Sequence, residues 1–193
     1  MNQSYLIVGL GNPGKEYENT RHNLGFRTTE ELSRLLRIKL SLSFFTKGMM
    51  GQGKAGENRL TLLLPLNYMN HSGPVVKNVV TAEKIALENV LVVCDDMSLD
   101  FGKLRLKGRG SSGGHNGLNS LIEYLGTEEF PRLRMGIGQP LSSREAIDYV
   151  LEEFSKEELK QLPEFVEKAA QCCCVWINQG ISKAMDQYNK SKG

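Results

Sequence analysis

The chain has 193 residues, of which 24 are basic and 22 acidic, so its formal net charge is only +2. With 40% hydrophobic residues, this composition fits one ordinary globular domain and excludes a disordered chain, a fibrous repeat and a histone-like polycation. Any contact with nucleic acid must therefore come from a local basic patch.

The first half of the sequence predicts strands alternating with helices. Residues 5–9 form an apolar run of strand length, followed by a Gly/Pro turn. A helix is predicted to begin near Asn19 or Thr20, either of which could cap it. Residues 50–54 and 59–64 predict a hairpin closed through residues 56–58. The inner side of the helix is expected to carry Leu24, Leu32, Leu35 and Leu36.

A second helix is predicted to follow the hairpin, with Ser72 as its N-cap and Pro74 in its first turn. Its buried face is expected to carry Val75, Val76, Val79 and Val80. Residues 90–94 then form a fully apolar run, which is typical of a strand buried on both faces.

Two further strands are predicted over residues 103–107 and 133–137, with a helix over 115–125 between them. The remainder reads as helical over residues 145–154 and 163–179. This alternation predicts an α/β fold over residues 1–193, a single three-layer domain with a twisted mixed β-sheet flanked by helices.

The apolar stretches are too short to span a membrane, and no signal peptide is visible. Three consecutive cysteines, 172–174, point about 100° apart around a helix, which indicates packing rather than disulfides. We therefore expect a cytoplasmic protein.

Residues 9–14, Gly-Leu-Gly-Asn-Pro-Gly, match the dinucleotide-binding fingerprint G-x-G-x-x-G. In that fold the last glycines open a helix whose amides hold a pyrophosphate. Here Pro13 lacks an amide hydrogen, residues 15–19 have no helical face, and no acidic residue ends a second strand about 20 residues later. We interpret the segment as a tight turn that projects Asn12 into a cleft.

Polar residues recur at four other places, each after a predicted strand or at the start of a helix. They are His22 with Asn23, residues 67–73, Asp95 with Asp96, and residues 110–117. Loops at one edge of a sheet can converge, so we expect a shared cleft. A histidine can activate water near neutral pH, a carboxylate can orient it, and carboxamides can bind a peptide and polarise a carbonyl. The set favours attack of water on an ester.

Each of these residues also has another explanation. The histidine could be a surface or capping residue, and Asn116 or Asp95 could simply form a turn. His22, His71 and His115 could bind a metal with Asp95, but no two are spaced i, i+4 and no familiar ligand spacing occurs. We expect no metal and no cofactor.

Basic residues alternate over 103–109, so in a strand Lys103, Arg105, Lys107 and Arg109 would share one face. Arg132 and Arg134 repeat the pattern in the next predicted strand. A solvated strand face is the ordinary explanation. Two such strands beside a glycine-rich loop nevertheless favour phosphate binding, which would supply affinity rather than base recognition.

Taken together, these segments resemble the bacterial peptidyl-tRNA hydrolase family. The matching stretches lie in order along almost the whole chain. They are Ile7-Val8-Gly9-Leu10-Gly11-Asn12-Pro13-Gly14, Tyr17, Thr20-Arg21-His22-Asn23, Met69-Asn70-His71-Ser72-Gly73, Gly113-Gly114-His115-Asn116-Gly117-Leu118 and Arg132-Leu133-Arg134-Met135-Gly136-Ile137-Gly138.

The resemblance implies hydrolysis of the ester bond between tRNA and a peptide or N-blocked aminoacyl group, which recycles tRNA from stalled translation. It implies His22 as the general base, Asp95 as its orienting carboxylate, and Asn12 as the residue that distinguishes peptidyl-tRNA from free aminoacyl-tRNA. The peptide and the 3′ end would be bound by Tyr17, Tyr68, Asn70 and Asn116. Lys107 and Arg134 would clamp the 5′-phosphate of the tRNA.

The resemblance further implies a monomer with no obligate protein partner. The segment Cys94-Asp95-Asp96-Met97-Ser98 departs from the family's usual residues around the carboxylate, so Asp96 is an alternative to Asp95. Two rival functions use the same features. A non-catalytic RNA- or ribosome-binding factor would use the basic residues, and a nucleotide-dependent oxidoreductase would use the glycine turn.

Overall fold

A computed structural model of the chain describes residues 3–140 and 146–190. Its strands are β1 (Ser4–Gly9), β2 (Ser41–Ser43), β3 (Gly48–Ala55), β4 (Asn58–Pro65), β5 (Val90–Asp96), β6 (Leu104–Lys107) and β7 (Arg132–Gly136). They form one sheet in the order β2-β3-β4-β1-β5-β7-β6. β1 is parallel to β4 and β5, and β5 is parallel to β7, whereas the remaining pairs are antiparallel.

The helices are α1 (Leu24–Leu36), α2 (Ser72–Glu83), α3 (Asn116–Leu125), α4 (Ala146–Leu151) and α5 (Lys156–Tyr188). Short 3₁₀ segments cover Arg21–Asn23, Met69–His71 and Leu87–Asn89. α1 and α5 bury side chains in the core on one face of the sheet, and α2 and α3 bury theirs on the other. The expected three-layer α/β fold with a mixed sheet is confirmed. In the part of the chain described, no helix has the length and apolarity to cross a membrane.

The central strands are apolar on both sides because helices cover both faces of the sheet. In β5, Leu91 and Val93 belong to one core cluster, while Val90, Val92 and Cys94 belong to the other. The same strand ends with Asp95 and Asp96, which are also buried. Burying two carboxylates at the end of an apolar strand costs free energy unless they are paired, so this sheet edge is a candidate for a functional site.

The glycine turn after β1 serves packing. A Cβ atom at Gly25 would lie 2.4 Å from the backbone nitrogen of Leu10, and one at Gly9 would lie 2.3 Å from the carbonyl oxygen of Gly25. These glycines let the start of α1 approach the end of β1 closely. The next helical segment begins only at Arg21, so no helix opens at Gly14 as a dinucleotide site requires.

The hairpin is confirmed, with a turn of two residues because Asn58 already pairs with Ala55. The expected first-helix caps are wrong. The Thr20 hydroxyl donates to the carbonyl of Tyr17 instead, and a 3₁₀ turn precedes α1. Leu35 is 37% exposed, so its predicted inner position is also wrong. Leu36 is half-buried, and Leu24 and Leu32 are fully buried as expected.

Ser72 is the first residue of α2 rather than its N-cap, and its hydroxyl donates to the carbonyl of Met69. Pro74 lies in the first turn as expected. Val80 is half-buried, whereas the other three valines of this face are buried as predicted.

The last helix begins earlier than expected. The Ser155 hydroxyl accepts from the Glu158 amide at 3.2 Å, and the Glu158 carboxylate accepts from the Ser155 amide at 2.7 Å. This capping box starts α5 seven residues before Pro163. Gly180 has φ +82° and interrupts the helical backbone next to the predicted end at residue 179. Of the helix predicted over 145–154, residue 145 lies outside the described residues.

Candidate active site

A cleft of about 920 Å³ opens where β1, β5 and β7 reach their carboxyl ends. Seven residues predicted for the site line it, namely Asn12, His22, Tyr68, Asn70, Asp95, Asn116 and Arg134. Their sequence positions differ by up to 122, and the parallel strands bring them together at one edge of the sheet. Tyr17 and Lys107, the other two, lie outside this lining.

Two histidines meet one carboxylate at the inner end of the cleft. Nδ1 of His22 lies 2.8 Å from Oδ1 of Asp95, and Nε2 of His115 lies 3.1 Å from the same oxygen. The ring centroids of the two histidines are 4.8 Å apart. Asp95 is 4% exposed and His22 is 7% exposed. The two imidazole donors therefore replace the water that the buried carboxylate has lost.

The hydrogen bonds assign a proton to one nitrogen of each ring. An ionised Asp95 only accepts, so Nδ1 of His22 and Nε2 of His115 both donate to it. Nδ1 of His115 accepts from the backbone amides of Gly117 at 3.1 Å and Leu118 at 3.3 Å, at the start of α3. Both nitrogens of His115 are therefore occupied. Nε2 of His22 makes no hydrogen bond to any of the residues described.

The electrostatics agree with this assignment. Burial alone would raise the pKa of Asp95, but the nearby rings of His22 and His115 and their hydrogen bonds hold that pKa well below its usual range. Burial alone would lower the pKa of His22, but the charge of Asp95 and its hydrogen bond outweigh burial and raise it above the ordinary value. Asp95 thus stays ionised and stabilises the imidazolium form of His22.

Asn12 is fixed at both its backbone and its side chain. The Asn12 amide donates to Oδ1 of Asn23 at 2.8 Å, and Nδ2 of Asn23 donates to the Asn12 carbonyl at 3.0 Å. Oδ1 of Asn12 accepts from the Met69 amide at 2.8 Å. The oxygen of this carboxamide is occupied, so the group that Asn12 offers to the cleft is its Nδ2 donor.

The outer wall of the cleft combines an aromatic ring with two carboxamides. Tyr68 is 59% exposed, and Asn70 and Asn116 are exposed as well. A Cβ atom at Gly73 would lie 2.2 Å from the Ser120 carbonyl oxygen, so only glycine lets α2 approach α3 this closely. This contact places Asn70, just before α2, and Asn116, at the start of α3, on the same cleft.

The second aspartate has a different partner from the first. Oδ2 of Asp96 lies 2.7 Å from Nε of Arg134, and Oδ1 of Asp96 accepts from the amide and hydroxyl of Ser98 at 2.9 and 2.8 Å. Asp95, not Asp96, therefore contacts His22. The ion pair with Asp96 holds the guanidinium of Arg134 at the cleft, which Arg134 lines.

The basic residues divide into two groups. Lys107 is exposed and lies opposite Arg132 in the β6–β7 pair, which makes it the diagonal neighbour of Arg134 on the same sheet face. Arg132 is only 1% exposed, and its guanidinium donates to the carbonyls of Gly110, Ser111, Glu128 and Phe130. The expectation that Arg132 faces a phosphate is wrong, since its hydrogen bonds hold the loop before α3.

The ends of the predicted basic strand also differ from expectation. Lys103 and Arg109 fall outside β6 and form ion pairs with Asp100 and Glu129 at 2.6 and 3.3 Å. The alternating face is therefore shorter than predicted, with Arg105 and Lys107 as its exposed members.

Tyr17 is half-buried, and its backbone carbonyl holds Thr20, so the structure does not bring it to the cleft as expected. His71 is exposed and lies outside the lining too.

His22, Asp95 and His115 place three possible metal ligands within 4.8 Å. A metal at Nε2 of His115 would displace its proton and move it to Nδ1, where it would meet two amide donors, so the hydrogen-bonded arrangement fits better.

Two residues of the site were noted in the sequence without a defined role. The side chain of Asn23 hydrogen-bonds to both the amide and the carbonyl of Asn12, as a neighbouring strand would. His115 links Asp95 to the first turn of α3. The available signal for His115 was its position at the start of a predicted helix, where a side-chain acceptor can cap the free amides. No comparable local signal marks Asn23, since its partner lies 11 residues away.

The sequence and the fold are similar to those of proteins of one family. A family model described as "Peptidyl-tRNA hydrolase" matches residues 6–193. The peptidyl-tRNA hydrolase of Bacillus cytotoxicus is 46% identical over 184 residues, which cover 95% of this chain and 98% of that protein. That of Clostridium botulinum strain Alaska E43 is 46% identical over 188 residues, covering 97% of each.

Solved structures agree with the sequence relatives. A crystal structure of peptidyl-tRNA hydrolase from Acinetobacter baumannii superposes with a TM-score of 0.93 at 36% identity and covers 100% of this chain and 97% of that one. A 5′-methylthioadenosine nucleosidase from Arabidopsis thaliana, at 8% identity and a TM-score of 0.58, shares the fold alone. Since the family model and these relatives span almost all of the sequence, the chain belongs to the peptidyl-tRNA hydrolase family.

Proposed function

We propose that the cleft around His22 is the active site in which this member of the peptidyl-tRNA hydrolase family cleaves the ester between peptide and tRNA. The observation that carries this assignment is the unequal use of two neighbouring imidazoles. His115 has both nitrogens in hydrogen bonds, whereas Nε2 of His22, which lines the cleft, bonds to none of the residues that the structure describes. Of these two rings, His22 is the one that can accept a proton from water without breaking a hydrogen bond to the described residues.

In the proposed reaction, Nε2 of His22 takes a proton from water as the water oxygen attacks the ester carbonyl carbon. Asp95 stabilises the resulting imidazolium through Nδ1, which lies 2.8 Å from its carboxylate. The tetrahedral intermediate then collapses and breaks the bond to the 3′ oxygen of tRNA, which takes the proton from His22. The products are a peptide with a free carboxylate and a tRNA with a free hydroxyl.

Asn12 supplies a fixed donor beside this histidine. With its oxygen held by the Met69 amide, Nδ2 of Asn12 can donate to a carbonyl oxygen of the substrate. A blocked aminoacyl group offers such a carbonyl on its α-nitrogen, whereas free aminoacyl-tRNA carries an ammonium group, which offers only donors. This polarity favours the blocked substrate and gives Asn12 a role in selectivity.

The outer wall of the cleft then binds the substrate on both sides of the ester, the peptide on one side and the 3′ end of the tRNA on the other. Asn70 and Asn116 present carboxamides suited to peptide groups, and the exposed ring of Tyr68 is suited to stacking on a base of the single-stranded 3′ end. Tyr17 lies outside the cleft lining of the free chain, so its expected contact with the substrate stays a prediction.

Lys107 and Arg134 form the proposed 5′-phosphate clamp. The two residues are diagonal neighbours on one face of β6 and β7, and such neighbours have Cα atoms about 7–8 Å apart. A phosphate between them can therefore contact both side chains. Arg134 already points to the cleft through its ion pair with Asp96. The pair would supply affinity for tRNA independent of sequence.

We place this activity in the cytoplasm, with a monomer that needs neither metal nor protein partner. The free thiols of Cys94, Cys172 and Cys173 are buried, which suits a reducing compartment. Burial raises the pKa of the Cys172 thiol to about 12, so it is unreactive at neutral pH.

The test is release of labelled N-acetyl-aminoacyl groups from tRNA by the purified chain and by His22→Ala. We expect the variant to lose at least roughly 10²–10⁴-fold in kcat while keeping its melting transition. His71→Ala is the matched control, since His71 is exposed and outside the cleft. Near-normal turnover by His22→Ala would overturn the assignment. Binding of tRNA without turnover by the unaltered chain would favour the non-catalytic RNA-binding factor.

A further inference from the structure

We propose that His115 is a positioning residue that shares the carboxylate of Asp95 with His22 and thereby limits how strongly Asp95 holds a proton on His22. This inference rests on the proposed role of His22 as the base. It assigns a separate task to the second histidine of the cleft, which would take no proton from water itself. His115 would set the pH range over which His22 is neutral and able to act.

The first observation is that both rings use the same carboxylate oxygen. Oδ1 of Asp95 lies 2.8 Å from Nδ1 of His22 and 3.1 Å from Nε2 of His115. An oxygen that already accepts one hydrogen bond presents less negative charge to a second donor. The His115 bond therefore weakens the attraction between Asp95 and protonated His22.

The second observation is that helix α3 locks His115 in one neutral tautomer. Nδ1 of His115 accepts from the amides of Gly117 and Leu118, which are free donors at the start of the helix. A proton on Nδ1 would point at these two donors and break the cap. His115 therefore donates to Asp95 through Nε2 while its Nδ1 remains the acceptor for the two amides.

The other charged groups lining the cleft do not replace this effect. Asp96 of β5 is paired with Arg134 of β7 at 2.7 Å, so the two largely offset one another near His22. Arg21 precedes His22 but bonds to Glu158 and to the Glu153 carbonyl on the side of α4 and α5. Within the described cleft lining, Asp95 is thus the charged group bonded to His22, and His115 is the second donor to that carboxylate.

The balance has a measurable consequence. Burial lowers the pKa of His22 and the charge of Asp95 raises it, with a net increase over the ordinary value. Removing the His115 donor leaves all of the charge on Oδ1 available to His22. The pKa of His22 should then rise further, which would leave less neutral base at pH 7.

The key variant is His115→Ser. Serine is a favoured N-cap and can still accept from the α3 amides, but it is too short to reach Asp95. His115→Ala removes both functions, so its melting temperature should fall below that of His115→Ser while the two share the same shift in pH behaviour. His71→Ser is the control, because that histidine is exposed outside the cleft.

Two readouts are taken on the full chain. The chain has three histidines, so NMR titration of their ring protons can follow His22 directly, with its signal assigned by loss in His22→Ala. The pH dependence of kcat/KM on N-acetyl-aminoacyl-tRNA gives the second readout. We expect both midpoints to move up by about one pH unit in His115→Ser and to stay unchanged in His71→Ser.

An NMR midpoint for His22 that stays in place or falls in His115→Ser would overturn the proposal. Because this titration needs no turnover, its result is separate from the general-base assignment. Failure of that assignment would show instead as near-normal turnover in His22→Ala.

Discussion

The inner end of the cleft and its basic edge differ in how their side chains are held. Asn12, His22 and Asp95 are 8, 7 and 4% exposed and joined to fixed partners. At the edge, Lys107 is exposed, and the Arg134 side chain is 21% exposed although it pairs with Asp96. Buried, hydrogen-bonded groups are preorganised for bond making, while exposed cations give affinity that salt screens. Changes at the inner end should therefore lower kcat, and changes at the edge should raise KM.

The largest effect in this comparison is expected from Asp95→Asn. The amide keeps the size of the carboxylate but removes the charge that stabilises imidazolium, so kcat should fall by roughly 10²–10⁴-fold. Asp96→Asn is the matched change one residue away. It loses the Arg134 ion pair but no contact with His22, so it should raise KM and leave kcat within about threefold. Equal losses of kcat in both variants would contradict the division between the two aspartates.

Asn12→Ala should give the next largest effect, a loss of about 10²-fold in kcat/KM on blocked substrate, typical of removing one fixed donor. Cleavage of unblocked aminoacyl-tRNA should change less, so the preference for the blocked substrate should narrow. Parallel kinetics on the two substrates measure this. An unchanged ratio would show that Asn12 does not read the α-nitrogen.

The pH profile tests the inner end without mutation. Because the pKa of His22 is raised, kcat/KM should increase about tenfold per pH unit below that pKa and level off above it. The midpoint should lie above the ordinary histidine value of about 6.5. A midpoint below that value would contradict the dominance of Asp95 over burial.

The smallest effects are expected at the basic edge. Lys107→Ala or Arg134→Ala should each raise KM for full-length tRNA about tenfold and lower the slope of log KM against log salt by about one. Short nucleotide esters without the 5′-phosphate should be unaffected. Lys103→Ala is the control, because Lys103 is engaged with Asp100. Equal effects on short esters would contradict a phosphate clamp.

Much of the fold could be predicted because its signals are local. The apolar run that became β5 and the polar residues directly after it are adjacent in sequence, and parallel strands necessarily bring such ends to one edge. The sequence left Asp96 as an alternative to Asp95 for the carboxylate beside His22, and the structure shows that Asp95 makes this contact. Neighbouring side chains of a strand point to opposite faces, so only one of the two can face the histidine.

One failure of prediction comes from contacts distant in sequence, and another from a local signal that was missed. Arg132 reads as an exposed cation of a strand, but its partners at 110 and 111 are 21 or more residues away and bury it. Tyr17 matched a family position and lies outside the cleft lining, so its role in binding stays a prediction. The early start of α5 was a missed local signal, since the Ser155–Glu158 capping box is readable in the sequence.

The most direct test of the account is cleavage of N-acetyl-aminoacyl-tRNA beside the unblocked aminoacyl-tRNA, with EDTA present. The account predicts rapid release of the blocked group, slow or no release of the unblocked one, and no effect of the chelator. Equal cleavage of both substrates, or loss of activity in EDTA, would contradict metal-free hydrolysis by the His22–Asp95 pair with selection by Asn12.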